Sequence, residues 1–285
     1  MPQANAPTHN FSPLEKERFM STATLDLPRI SPLARNLAIF LREARYEFIR
    51  LTRTRSFSLS VVGFPVVFYL FFGVIMNRGQ QIGAISVAKY VLASYAVFGM
   101  VGAALFGIGV GLSADLAAGW LDLKRASPMP PLAYVLAKCC SAVFFGILIV
   151  SLLALMGITL GNVSLTFVEY ARMVALTVAG VIPFVCMGLA LALLAPFSAV
   201  PGITNMIYLP MSFCGGLWVP LIFLPHFMQT FAVLMPTYHL SQLMLGAFGY
   251  ASMGSTLSHW YGLLGFTLVM LGVAAIALRR LERNS

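Results

Sequence analysis

The chain of 285 residues is 59% hydrophobic and 9% charged, with a mean hydropathy of +0.88, whereas soluble domains carry about 25% charged residues. This is the composition of an integral membrane protein, and the length holds about six helices of 20 to 25 residues with their connections, leaving little room for a separate soluble domain, so a fused catalytic domain is not expected. The net charge of +9 does not point to nucleic acid, because nine of the eighteen Lys and Arg residues precede Phe57, three lie between Lys124 and Lys138, and three close the chain as Arg279, Arg280 and Arg283, all positions beside apolar stretches that a bilayer explains.

Lys and Arg in excess mark the loops that remain in the cytoplasm, so both termini and the segment around Lys124 are expected inside. Residues 1–32 are polar, contain five prolines and lack an apolar h-region; they read as a disordered cytoplasmic tail, within which Met20 is an alternative start to Met1. Residues 33–55 read as an amphipathic helix. Leu33, Leu37, Phe40, Leu41, Ala44, Phe48 and Leu51 recur at three-and-four spacing. Arg35, Arg42, Glu43, Arg45, Glu47, Arg50 and Arg53 take the other face. Such a helix lies in a membrane surface with its arginines near anionic headgroups; a soluble amphipathic helix is the alternative.

The first span is expected at Phe57–Met76, twenty uncharged residues or roughly 30 Å of helix, the thickness of the hydrocarbon core. The second runs from Tyr90 to Leu112, where Gly99, Ala103, Gly107 and Gly111 repeat every four residues and predict close helix packing, inside the subunit rather than between subunits. Residues 113–131 form a short charged cytoplasmic connection ending in prolines. The third span, Leu132–Gly157, carries Lys138 near its inner end, where the side chain is expected to snorkel to the headgroups and escape the roughly 3 kcal/mol assigned to a central lysine. A fourth span, Met173–Ala195, should kink at Pro183.

Charge cannot count spans beyond this point, since Met173–Leu278 contains no Asp, Glu, Lys or Arg. A fifth span is expected from Gly202 to Leu224 and a last one from His259 to Leu278. Residues 225–250 lie between them, broken by Pro236. A seventh span there would put Arg279 and Arg280 outside, against the positive-inside rule, so a re-entrant hairpin fits better. Its backbone must be buried in protein or face water, and it is expected to cap the outer end of a cavity. The fold is therefore all-α: six transmembrane helices in residues 57–279, an N-terminal interfacial helix, a re-entrant hairpin and a cytoplasmic tail at 280–285.

No catalytic or metal-binding motif is present: the sequence lacks GxxxxGK[ST], HExxH, CxxC and GxSxG. Cys139, Cys140, Cys186 and Cys214 read as reduced packing residues. His226, His239 and His259 read as isolated interfacial hydrogen-bonding groups on the outer side. A proton-coupled transporter usually carries ionisable residues within its spans, and the second half has no carboxylate there, so the driving energy must come from another subunit.

The amphipathic Arg-Glu-Ala-Arg-Tyr-Glu-Phe helix, the first span reading Phe-Pro-Val-Val-Phe-Tyr-Leu-Phe-Phe-Gly, the six spans and the uncharged Pro-containing hairpin together resemble the type 2 ABC exporter permeases. The inner loop agrees through Asp115, Gly119, Lys124, Arg125, Ser127 and Pro128, although the family's common Glu-Arg pair is absent. The similarity covers Leu33–Arg283. It implies a membrane subunit that pairs with a second permease, identical or paralogous, and with cytoplasmic ATPase subunits that hold the ATP and magnesium, no cofactor being bound by this chain. It further implies a coupling helix at Leu116–Arg125, with Leu116, Gly119 and Leu121 on it, Trp120 as an aromatic anchor, and Asp122, Lys124 and Arg125 as polar contacts. An interfacial belt role is the alternative for Trp120. The helix bearing Arg42, Glu43, Arg45, Glu47 and Arg50 would also touch the ATPase.

The candidate pathway residues are Phe64, Phe68 and Phe72, at four-residue spacing on span one, with Met211, Phe213 and Trp218 in span five; plain core or lipid-facing packing is the alternative. A wall of this kind without fixed charge suits a lipophilic or amphiphilic solute. Export of a drug-like or antibiotic-like compound across a bacterial inner membrane is the function expected. Lipid or polysaccharide export, and a non-ABC channel or scaffold, are the alternatives.

Overall fold

The structure, a computed structural model, describes residues 32–76, 79–82, 85–119, 131–250 and 253–284. Apart from a ribbon of two-residue strands (β1, Gln81–Ile82; β2, Ile85–Ser86), the regular elements are helical. They are α1 (Pro32–Arg53), α2 (Arg55–Ile75), α3 (Val87–Ala117), α4 (Pro131–Thr159), α5 (Phe167–Gly180), α6 (Ile182–Leu194), α7 (Val200–Cys214), α8 (His226–Ala232), α9 (Pro236–Gly246) and α10 (Thr256–Asn284). Among the described residues five stretches are long and apolar enough to cross a membrane: α2, α3, most of α4, α5 with α6, and Thr256–Arg280 of α10.

Helix α3 is the axis. Of its apolar stretch 89% is buried within the chain, against 17% for Thr256–Arg280. Helices α2, α4, α6, α7 and α9 all pack on α3, whereas α10 lies outside against α6 and α9. The small residues make this possible. A Cβ on Gly99 would fall 2.6 Å from Ile149 of α4 and 2.8 Å from Pro65 of α2, so α2 and α4 close on α3 there only because the side chain is missing. One on Gly188 would fall 3.1 Å from the backbone nitrogen of Gly109, which brings α6 against α3 backbone to backbone. The four-residue repeat thus packs within the subunit, as expected. Leu105–Val110 of α3 and Tyr69–Ile75 of α2 are π-helical turns, wider turns that re-aim the side chains after them.

The fourth span is two helices broken at Val181, just before Pro183, where a proline can begin a helix but not continue one. The fifth departs from expectation. Instead of one helix over Gly202–Leu224, α7 stops at Cys214, and Gly216 adopts a positive φ of 75°. Its fifteen residues make roughly 22 Å of helix, short of the hydrocarbon thickness. The end of α7 is nevertheless satisfied. Thr237 Oγ1 of α9 donates to the Met211 carbonyl at 2.7 Å, and Ser241 Oγ donates to the Gly215 carbonyl at 3.2 Å. Terminal helix carbonyls need such partners when buried. The segment expected as a hairpin, 225–250, forms the helix pair α8 and α9, and Pro236–Leu245 is buried throughout.

Residues 1–31, expected as a tail, lie outside the described residues. Residues 280–284 are not a separate tail but the end of α10. Replacing Gly188 with valine should drive α6 off α3 and lower stability by about 2 kcal/mol, read as a lower thermal midpoint in detergent. Gly265→Ala, which has nothing within 4 Å of its new Cβ, should leave the midpoint unchanged.

Candidate functional site

Two features meet where α1 runs into α2. The first is a cluster of four charged side chains. Glu47 Oε1 accepts from Lys138 Nζ at 2.8 Å and from Arg50 Nη2 at 2.9 Å. Asp115 Oδ1 accepts from Arg50 Nη1 at 2.6 Å, and Oδ2 accepts from Lys138 Nζ at 2.9 Å and from the Tyr134 hydroxyl. Lys138 Nζ also lies 5.1 Å from the centre of the Tyr134 ring. Two cations and two anions cancel. Burial works against the Arg50 charge, but its bonds to Asp115 and Glu47 outweigh that and raise its pKa above the ordinary arginine value, so the guanidinium stays charged at any physiological pH.

This cluster corrects two expectations. Lys138 does not snorkel: only 3% of the residue is exposed. Glu47, expected on a headgroup-facing surface, is 2% exposed, and Arg50 is half-buried. The reason is the rotation of α1, which presses Phe48 and Leu51 inward, with the Phe48 ring 4.3 Å from that of Phe144 on α4. Glu47 and Arg50 flank those positions and turn in with them. Arg42 and Arg45 remain exposed, as do Leu37 and Leu41 of the apolar face, while Glu43 is half-buried. Asp115 belongs to the last turn of α3 rather than to the loop after it.

The second feature is a cavity of about 790 Å³, within the size range of small-molecule sites. Its walls are α2 and α3 on one side and α7, Phe197 and Trp218 on the other. Phe98, Gly102, Phe106, Val110 and Ala114 line it from α3 at four-residue spacing. Phe64, Phe68 and Phe72 stack in series, with centroids 5.8 and 5.9 Å apart, and Trp218 lies 5.9 Å from Phe68. Phe98 stacks on Tyr208 at 4.8 Å, and the Tyr208 hydroxyl donates to the Phe98 carbonyl at 2.8 Å. Arg50 is the one charged lining residue among the described ones. Thr54, Ser56, Ser60 and Asn205 are the cavity's polar, uncharged lining side chains besides the Tyr208 hydroxyl and the Trp218 indole.

Of the six pathway candidates, the structure brings Phe64, Phe68 and Trp218 to the cavity and sets Phe72 behind Phe68 as the next ring of the stack. It does not bring Met211 or Phe213. Met211 is 5% exposed in the core, and Phe213 packs against Leu221, Leu224, Ala232 and Tyr238. Both lie within α7, whose cavity-lining residues are Asn205, Tyr208 and Leu209, so they fall on other sides of the same helix. Phe57, Phe98, Phe106 and Tyr208 were missed; the signal for Phe98 and Phe106 was their eight-residue separation, which puts both on one face of α3.

Leu116 packs beside Leu112 and Tyr134, and Gly119 is exposed with φ 70°. Trp120, Leu121, Asp122, Lys124 and Arg125 lie outside the described residues. No residue of 225–250 lines the cavity, so α8 and α9 do not cap it; they are held instead against α7, α3 and α10. Nor are the histidines all isolated. His239 and His259 bring their Nδ1 atoms to 3.1 Å and are buried, whereas His226 is exposed. The four cysteines are free thiols.

Comparison with known proteins covers most of this architecture. Residues 40–249 match the family model described as ABC-2 type transporter. Over 201 residues the chain is 24% identical to YvfS of Bacillus subtilis (strain 168), which bears the name transport permease; the alignment spans 70% of this chain and 82% of that protein.

Removing one partner from a buried ion cluster costs more than the cluster contributes, because the remaining charge is left without compensation. Lys138→Met should therefore lower stability by about 3–5 kcal/mol. Adding Asp115→Asn, which restores neutrality, should recover part of that loss. Thermal unfolding of the two variants checks this, and additive losses would show that the cluster does not act as a unit.

Proposed function

The chain belongs to the ABC-2 type transporter family, and from that premise we propose that it is the membrane subunit of an ABC exporter that moves a lipophilic or amphiphilic solute, drug-like or antibiotic-like, out of a bacterial cytoplasm or inner leaflet. The observation that carries this reading is the aromatic cavity between α2, α3 and α7, with Arg50 as its only charged lining residue among those described. A ligand of several hundred Å³ with an apolar body fits it, whereas a polysaccharide would find too few hydrogen-bonding groups on the wall. A membrane lipid as cargo is the second reading, because Phe64, Asn205 and Leu209 are exposed and leave a lateral route. Family membership sets aside a non-ABC channel or scaffold.

In this proposal the chain pairs with a second copy or a paralogue and with cytoplasmic ATPases that bind ATP and magnesium. Helix α7 and the residues to Phe223 make the fifth of six crossings, and α8 with α9 form the re-entrant hairpin. That count returns Arg279, Arg280 and Arg283 to the side of Arg42 and Arg45, as the positive-inside rule requires. Helix α1 lies along the inner surface, with Leu37 and Leu41 toward lipid. The segment Leu116–Arg125 docks on the ATPase through Trp120, Asp122, Lys124 and Arg125. The ion cluster supports this arrangement, since it fastens α1 to the foot of α3 directly before the docking segment, so that a push on either element reaches the cavity wall.

With the permease and its ATPase copurified and reconstituted, Phe68→Ala should raise the solute concentration for half-maximal ATPase stimulation about tenfold, the effect of losing one well-buried ring contact. Trp120→Ala together with Asp122→Ala should uncouple ATP hydrolysis from export while the permease still folds. Unchanged transport in both variants would overturn the assignment.

A further inference from the structure

Arg50 takes part in both features at once. Its side chain is 32% exposed and lines the cavity, while the carboxylates that hold it are withdrawn: the Glu47 and Asp115 side chains are 3% and 10% exposed, and neither lines the wall. A guanidinium has five N–H donors. Two of them serve Glu47 and Asp115. Gly111 sits over the group without covering it, since a Cβ there would lie 3.7 Å from Arg50 Nη2. The cavity therefore meets a positive, donor-rich group at one end.

The polarity of the wall changes along its length. Helices α2 and α3 run antiparallel, with Phe57 beside Gly107 and Pro65 beside Gly99. Thr54 and Ser56 accordingly stand at the Arg50 end, Ser60 stands one turn further along α2, and Asn205 lines the cavity from α7. Phe64, Phe68, Phe98 and Trp218 form the far end. The side chains of Ser56, Ser60 and Asn205 make no hydrogen bond within the described residues, which leaves their polar atoms for a ligand.

We infer that Arg50 reads the head of the transported molecule: the site takes an amphiphile whose oxygen-acceptor head, a hydroxyl, carbonyl, carboxylate or phosphoryl group, bonds the guanidinium, with its apolar body along the aromatic end. This rests on the proposed function in taking the cavity as the cargo site, and goes beyond it in specifying the head and its orientation. The cluster around Arg50 is already neutral, so a neutral acceptor suffices, while a cationic head at that end meets like charge. The same guanidinium fastens α1 to α3. A head that bonds it is therefore linked to the position of α1, and by reciprocity a displaced α1 changes the affinity for the head.

The test uses the full chain in phosphatidylcholine nanodiscs, with Trp120→Phe and Trp260→Phe so that Trp218 alone fluoresces. The probes are 12-bromododecanol, 12-bromododecanoic acid and 12-bromododecyltrimethylammonium, each corrected for partitioning into protein-free discs. The alcohol and the acid should quench Trp218 saturably at concentrations about tenfold below the cation, the gain of one hydrogen bond to a charged group. Arg50→Gln should remove that preference. Gly111→Val, which covers the guanidinium without removing an ion-pair partner, should remove it too. Discs of brominated-acyl phosphatidylcholine with no added probe identify the source: quenching that falls in Gly111→Val marks a lipid as the ligand, and no such fall marks a solute. A cation that binds as tightly as the alcohol, or a preference that survives both variants, overturns the inference and leaves the cavity as a cargo site. Absence of saturable quenching by every probe overturns the cargo site itself.

Discussion

Lys138 is a full positive charge set on an apolar helix and almost completely removed from solvent. A lone ammonium in that position would be too costly to keep, so the chain has to bring anions to it. Both come from a distance: Glu47 is 91 residues away in sequence, and Asp115 arrives from the last turn of α3. Meeting that demand sets the rotation of α1. Once Glu47 points at Lys138, Phe48 and Leu51 pack against α4 and α2, Leu37 and Leu41 are left outside, and Arg50 swings to the rim of the cavity. The electrostatic need of one side chain on α4 thus decides which face of α1 is buried and which charge the cavity sees.

At the opposite end α3 is held by a second ionic contact. Lys89 Nζ approaches Glu169 Oε1 at 2.5 Å and donates to the Ser164 carbonyl at 3.0 Å, and it lies 5.0 Å from the centre of the Phe248 ring. Glu169 also closes a capping box with Thr166 at the start of α5. Lys89 and Asp115 are roughly 39 Å apart along a helix, more than the hydrocarbon thickness of about 30 Å. Polar fastenings therefore sit near the two faces, and the interval between them is held by shape. Missing side chains at Gly99 and Gly109 let α2, α4 and α6 close on the axis, and the π-helical turn at Leu105–Val110 falls where α6 and α7 meet it.

The break after α7 follows the same economy of polar groups. A helix that ends short of the bilayer thickness exposes carbonyls, and no water is available in hydrocarbon to bond them. Thr237 and Ser241 of α9 supply the donors, which explains why α9 is buried from Pro236 to Leu245 although it carries hydroxyls, an amide and an imidazole. Its imidazole, His239, finds a partner in His259 of α10. The break also turns the chain so that Trp218 comes back over Phe68 and closes one end of the aromatic wall.

Much of this was legible in the sequence, because hydropathy, proline and periodicity are local. Five of the six expected spans, the break near Pro183, the packing role of the four-residue glycine repeat and the stack of Phe64, Phe68 and Phe72 all depend on residues within a few turns of one another, and the structure contains them. The short α7, the buried Lys138, the inward Glu47 and the pairing of His239 with His259 were not legible. Each depends on a partner 20 to 91 residues distant, and a helical pattern shows that a charge lies on a face without showing whether that face meets water or an opposite charge. By itself the sequence determined a helical membrane protein, the positions of most spans and part of an aromatic wall. Only the tertiary structure decided which way α1 turns and what Arg50 faces, because those outcomes are settled by charge pairing and close contact between helices far apart in the chain.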